Sequence, residues 1–138
     1  MKKLSMEEAN EREQLVFNRN YDPQVYSRMG GLQRFDNMTV ETARKLINLG
    51  YLDPDDCQNS SPTNGEFVEF IENCKDPGDW YLHGYVIPAE RSDCRVNIEG
   101  IGTYCEVDQE DMVNFLMQNR FSDELQAGIN QSLYCWYD

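Results

Sequence analysis

The run Trp80-Tyr81-Leu82-His83-Gly84-Tyr85-Val86-Ile87, closed by Pro88, constrains this chain more than any other segment. It is rich in aromatic and β-branched residues and has no helical repeat, which reads as a strand. A strand needs a partner. After a charged loop, Ala89 to Cys94, the segment Arg95-Val96-Asn97-Ile98-Glu99-Gly100-Ile101 alternates as a strand with one wet face. The two predict an antiparallel hairpin, entered through the turn cluster Lys75-Asp76-Pro77-Gly78-Asp79.

Helical patterns flank the hairpin. Thr39 can cap a helix in which Val40, Ala43, Leu46 and Ile47 recur at helical spacing until Gly50, with Met38 packing back over the first turn. The polar stretch Asp53 to Pro62 follows as a loop. Ser61 as cap and Pro62 as first helical residue then predict a helix burying Phe67, Phe70, Ile71 and Cys74. Beyond the hairpin, Asp108 and Asp111 open another helix, with Met112, Phe115, Leu116 and Phe121 turned inward. Leu125, Ala127 and Ile129 then alternate with polar residues, Asn130-Gln131 turns, and Leu133 to Tyr137 forms a last aromatic strand.

The N-terminal part is less regular. Ser5 to Asn18 predicts a helix with sparse apolar anchors at Ala9, Leu15, Val16 and Phe17, hence a weakly held one. Arg19 to Phe35, with Asp22-Pro23 and Gly30-Gly31, suits an extended connector that rests its aromatics on a neighbouring surface. The chain therefore divides into a helix and connector, residues 1–35, and an acidic domain, residues 36–138. The fold class is α+β: elements in the order α-α-α-β-β-α-β-β, with an antiparallel sheet of about four strands and helices on one face.

A chain of 138 residues with 40% hydrophobic content can bury one core. No apolar run approaches a bilayer span, and Glu7-Glu8 stand where a signal peptide needs apolar residues, so a cytoplasmic location is expected. Five cysteines, at 57, 74, 94, 105 and 135, are odd in number and lack C-x-x-C spacing, so they read as reduced thiols and not as a disulfide or zinc framework.

Signals of catalysis are weak. His83, the single histidine, sits mid-strand with Tyr81 and Tyr85 two residues to either side; a general base there needs a partner that the sequence does not identify. It reads as a hydrogen-bonded sheet histidine. Asp53-Pro54-Asp55-Asp56 resembles a calcium loop only superficially, lacking the turn glycine and carrying Asn64 where the twelfth-position Glu belongs. Gly30-Gly31 lacks the Lys and Ser/Thr of a phosphate loop. No catalytic residue, metal ligand or cofactor is expected, and the chain reads as a non-enzyme.

Charge is the more informative signal. The net charge is -13, but residues 1–50 carry eight Lys/Arg and seven Asp/Glu (+1), whereas residues 51–138 carry four and eighteen (-14). A unit of this sign repels nucleic acid and anionic membranes and attracts basic protein surfaces. Glu66, Glu69, Asp76, Asp79, Glu90, Asp93, Asp108, Glu110 and Asp111 are the candidate acidic face. Such a face has a plain role in solubility and a sharper one as an imitation of DNA phosphates, which present a charge about every 1.7 Å of helix axis. Trp80, Tyr81, Tyr85, Tyr134, Trp136 and Tyr137 have the makings of a stacking platform but lack the interleaved basic residues that single-stranded nucleic acid requires. They read as core of one sheet face; any ring on the other face must be covered by the N-terminal segment, a second copy or a partner.

Several stretches, Phe35-Asp36-Asn37-Met38-Thr39-Val40-Glu41-Thr42, Leu49-Gly50-Tyr51-Leu52-Asp53-Pro54, Asn59-Ser60-Ser61-Pro62-Thr63, His83-Gly84-Tyr85, Ile98-Glu99-Gly100-Ile101 and Leu133-Tyr134-Cys135-Trp136-Tyr137-Asp138, resemble a family of small acidic, uncharacterised proteins associated with mobile elements of anaerobic gut bacteria. The resemblance implies a mobile-element accessory role and carries no assigned activity or functional residue. Three readings compete. The leading one is a binding protein for a basic protein surface, including a DNA-mimic inhibitor of a defence or DNA-processing enzyme. The others are a self-associating module that forms a homodimer through its aromatic strands, and an enzyme using His83.

Overall fold

Ser5 caps the first helix, α1 (Met6–Phe17), with a reciprocal box: its hydroxyl accepts from Glu8 N–H and the Glu8 carboxylate accepts from Ser5 N–H. In the computed structural model, which describes residues 3–127 and 132–138, this helix is not weakly held. Its anchors are polar, which the count of apolar residues could not register. Arg12 and Glu13 are each only 1% exposed. Arg12 donates from Nη2 to the Ile87 carbonyl at 2.9 Å, and Glu13 accepts from the Tyr26 hydroxyl at 2.5 Å and from Arg19 Nε at 2.9 Å.

The segment expected to be an extended connector is built into the fold. Asp22 accepts from Gln24 N–H and Pro23 takes the first helical position, so α2 (Pro23–Arg28) forms and buries Tyr26. Gly30 and Gly31 both adopt positive φ, 81° and 93°, and turn the chain into β1 (Gln33–Met38). The expected boundary after residue 35 therefore falls within a strand.

Thr39 caps α3 (Val40–Asn48) as its spacing indicates, and Val40, Ala43 and Leu46 are buried. The next helix, α4 (Asn64–Glu72), starts two residues later than Ser61-Pro62 suggested. Thr63 and Glu66 form a second reciprocal capping box, with hydrogen bonds of 3.1 and 2.9 Å. Ser61 is used elsewhere, accepting from Gln58 N–H inside a small loop closed by a bridge between Cys57 and Thr63. Two satisfied donors at Thr63 outweigh the single one that Ser61 offers. Gly65 admits the Pro54 loop: a β-carbon there would lie 3.0 Å from both Pro54 Cβ and Pro54 O.

After a 3-10 turn at Pro77–Asp79, β2 (Trp80–Val86) and β3 (Val96–Thr103) form the expected hairpin, Trp80 facing Thr103 and Val86 facing Val96. β3 was expected to have one wet face, yet all eight of its residues are buried. A bulge explains how. Opposite His83 and Gly84 stand Gly100 and Ile98, leaving Glu99 as an extra residue. Val96 and Ile98 on one side of it and Ile101 on the other therefore all reach the same core.

The last elements are α5 (Gln109–Gln118), β4 (Glu124–Ala127) and β5 (Leu133–Trp136). Phe115 is fully buried, but Phe121, expected inside, is 72% exposed because the helix ends before it. The inward position goes to Asn119, which donates to the Phe115 carbonyl and accepts from the Tyr137 hydroxyl. Ile129 and the turn at Asn130-Gln131 lie outside the described residues. The sheet is antiparallel throughout, in the order β1-β2-β3-β5-β4, five strands instead of about four because β1 joins it. Leu46, Phe67, Ile71 and Phe115 from the helices share one core with Leu82, Ile98 and Ile101 of the sheet. The other face of the sheet carries the candidate site.

Candidate functional site

On the open face, two glycines let aromatic rings lie down. A β-carbon on Gly100 would stand 2.6 Å from His83 Nε2, and one on Gly102 would stand 2.5 Å from the Tyr81 hydroxyl. With no side chain on β3 at these points, the β2 rings lean across it towards β5. His83 stacks on Tyr134 at 5.0 Å and 14°, and Tyr81 stacks on Tyr104 at 4.9 Å and 18°. Trp136 and Phe35 complete the lining of a shallow groove of ≈ 280 Å³, which runs past the same tyrosines into a second hollow of ≈ 410 Å³ bordered by Glu124 and Gln126.

His83 Nε2 lies 2.8 Å from the Cys135 carbonyl, which can only accept, so the proton sits on Nε2. Burial, the largest influence, and Arg34 hold the imidazole pKa below its ordinary value, against the Cys135 carbonyl and Asp36, which raise it. The ring is thus neutral at pH 7, bonded to backbone and stacked. Burial first, then the Tyr104 hydroxyl, raises the Tyr81 phenol. The Cys135 thiol, under the sheet, is pushed up to about 12 by burial. Arg34 on β1 reaches across to Glu99, whose carboxylate is buried at the bulge, and pairs with it.

The six rings grouped in the sequence are divided by the fold. Trp80 packs into the helix-side core against Phe70 and Phe115, and Tyr137 packs there against Phe67. Tyr85 does not join the open-face rings; its hydroxyl meets Gln58, Arg95 and Asn97. Tyr81, Tyr134 and Trp136 remain in the groove. Tyr104, 72% exposed, belongs with them but was missed, since it lies just past a strand end where no periodicity marks it.

The nine acidic candidates fall into two groups. Glu90 and Asp93 lie in the β2–β3 loop: Glu90 accepts from the Tyr21 hydroxyl, and Asp93 is held in a two-pronged pair by Arg91 at 2.9 and 2.7 Å, which lowers its pKa. The other seven belong to α4, α5 and the turn before β2. These two helices run antiparallel: Gln118 meets the Glu66 carbonyl, Phe70 meets Phe115, and Lys75 N–H donates to Asp111 at 2.9 Å. Glu66, Glu69, Asp76, Asp79, Asp108, Glu110 and Asp111 are thereby carried by adjoining elements, and among the described residues none of the seven takes part in an ion pair.

In the Asp53–Asp56 loop the carboxylates bond to backbone, Asp53 accepting from Asp55 N–H and Asp56 from Cys57 N–H. Among the described residues there is no group of three or more His, Cys, Asp or Glu placed to hold a metal ion, and no helix is long and apolar enough to cross a membrane. Comparison with protein-family models, curated proteins and solved structures finds no match to the chain.

Proposed function

We propose that this chain is a binding protein that docks on a cationic protein surface through the α4–α5 side of the molecule. The observation that carries this reading is the gathering of seven carboxylates without ion pairs on two adjoining helices and the turn beside them. Glu13, Glu99 and Asp93, on other elements, and Glu72 at the end of α4 are matched with arginines, whereas these seven are not, so this side keeps its negative charge. An unneutralised negative surface on a rigid scaffold steers basic partners and repels nucleic acid itself. A protein groove that ordinarily holds DNA phosphates is the target such a surface fits, which is the DNA-mimic form of the reading.

The test is affinity capture followed by elution with a salt ramp and, separately, with duplex DNA. Attraction of this kind weakens as the Debye length shrinks from about 10 Å at 0.1 M salt to about 3 Å at 1 M. Release by salt and by DNA is expected. Glu69→Lys with Glu110→Lys, which avoids the bonds made by Glu66 and Asp111, should weaken capture and leave the melting temperature nearly unchanged. Retention in molar salt, or capture indifferent to both substitutions, would overturn the reading.

A further inference from the structure

The groove on the open sheet face has chemistry of its own. Tyr81 on Tyr104 and His83 on Tyr134 are stacked nearly parallel, and Tyr104, largely exposed, leaves the face away from Tyr81 open. Its charges are acidic on balance: Asp36 on β1, Glu99 on β3 and Glu124 on β4 against the single guanidinium of Arg34, already paired with Glu99. That combination favours a cation, because the face of an aromatic ring and a nearby carboxylate attract the same sign.

We propose that the groove receives an arginine side chain from an extended segment of a partner protein, its guanidinium stacked on the Tyr104 and Tyr134 rings and its charge met by Glu124 beside them, with Asp36 adding to the field from the far end of the groove. Arginine fits better than lysine, since a planar guanidinium stacks on a ring while its edge donates to carboxylates. An extended segment fits because the groove crosses from β1 to β4, four inter-strand spacings or about 19 Å, which is the reach of about six extended residues. A nucleic acid strand would need cations along its backbone, and the groove's arginine is engaged with Glu99. A second copy would bring the same carboxylates and a net charge of -13 against themselves. This site is separate from the α4–α5 acids, and either can fail alone.

The experiment titrates a capped Gly-Gly-Arg-Gly-Gly peptide, and its neutral citrulline counterpart, into the full chain while following the Trp136 indole N–H by NMR. The arginine peptide should shift that signal saturably, with the citrulline peptide at least tenfold weaker. Tyr134→Leu, which keeps bulk and removes the ring, should weaken binding about tenfold. Tyr104→Ser, at a position 72% exposed where the loss of one stack should cost the fold little, should weaken it several-fold, as should Glu124→Gln. Glu69→Lys with Glu110→Lys should leave it unchanged. Equal binding of the citrulline peptide, indifference to Tyr104→Ser, saturation by oligothymidine, or concentration-dependent burial of Trp136 in a homodimer would each overturn the assignment.

Discussion

The imidazole of His83 lies over Gly100, with Nε2 only 2.6 Å from where a β-carbon on that glycine would stand. The open-face groove exists because this position and Gly102 carry no side chain.

Gly100→Ala is expected to destabilise the fold by at least about 1–3 kcal/mol, the cost of forcing atoms into a filled site. The added methyl would also lie 2.0 Å from the Cys135 carbonyl, so the backbone must move as well as the ring. Urea denaturation measures the cost. A neutral substitution would mean that the ring does not rest where it is described.

Arg12→Ala should cost about 1.5–3 kcal/mol, the worth of a hydrogen bond to a charged group, plus the packing of its buried stem. Arg12→Met keeps the stem and separates the two contributions. If chemical denaturation finds both variants as stable as the parent, α1 is only loosely attached after all.

His83 gives stability a definite slope with pH. Its folded pKa is depressed below the unfolded value of about 6.5, so the unfolded chain binds the proton first and stability is lost as pH falls below that value. The loss stops once the folded imidazole is protonated too. His83→Gln should remove this component, read as the difference between parent and variant in urea titrations at pH 7 and pH 5.5. Parallel behaviour of the two proteins would show that the ring is not desolvated.

Thiol alkylation should separate the cysteines. Cys57 and Cys105 are exposed, whereas Cys74 and Cys135 are buried and burial pushes each of their pKa values up to about 12, leaving almost no thiolate at pH 8. Two sites should be modified by iodoacetamide in the native protein, with Cys74, Cys94 and Cys135 following only in denaturant. Early labelling of Cys135 would contradict its place beneath the sheet.

Much of this architecture was legible in the sequence, and the exceptions have physical causes. Hydrophobic spacing located α3, α5 and the central hairpin, because their stability comes from one apolar stripe. It undervalued α1, whose hold on the fold comes from Arg12 and Glu13, residue types that ordinarily face water. Asp22-Pro23 was read as part of an extended connector although the same pair is a good helix start. The rings of the groove could not be sorted from those of the core, since a sequence does not show which face the helices will cover. Tyr104 gave no signal at all, being a loop residue brought into place by its stack on Tyr81.

The additional residue at Glu99 fixes more than a local kink. Strand side chains alternate strictly, so a strand that ran on from Ile98 without the bulge would turn Ile101 towards water and Gly102 into the hydrophobic interior, exchanging the two surfaces from that point onward. The doubled step at Glu99 and Gly100 keeps Ile98 and Ile101, three residues apart, on one side, and so decides which surface of this protein meets its surroundings.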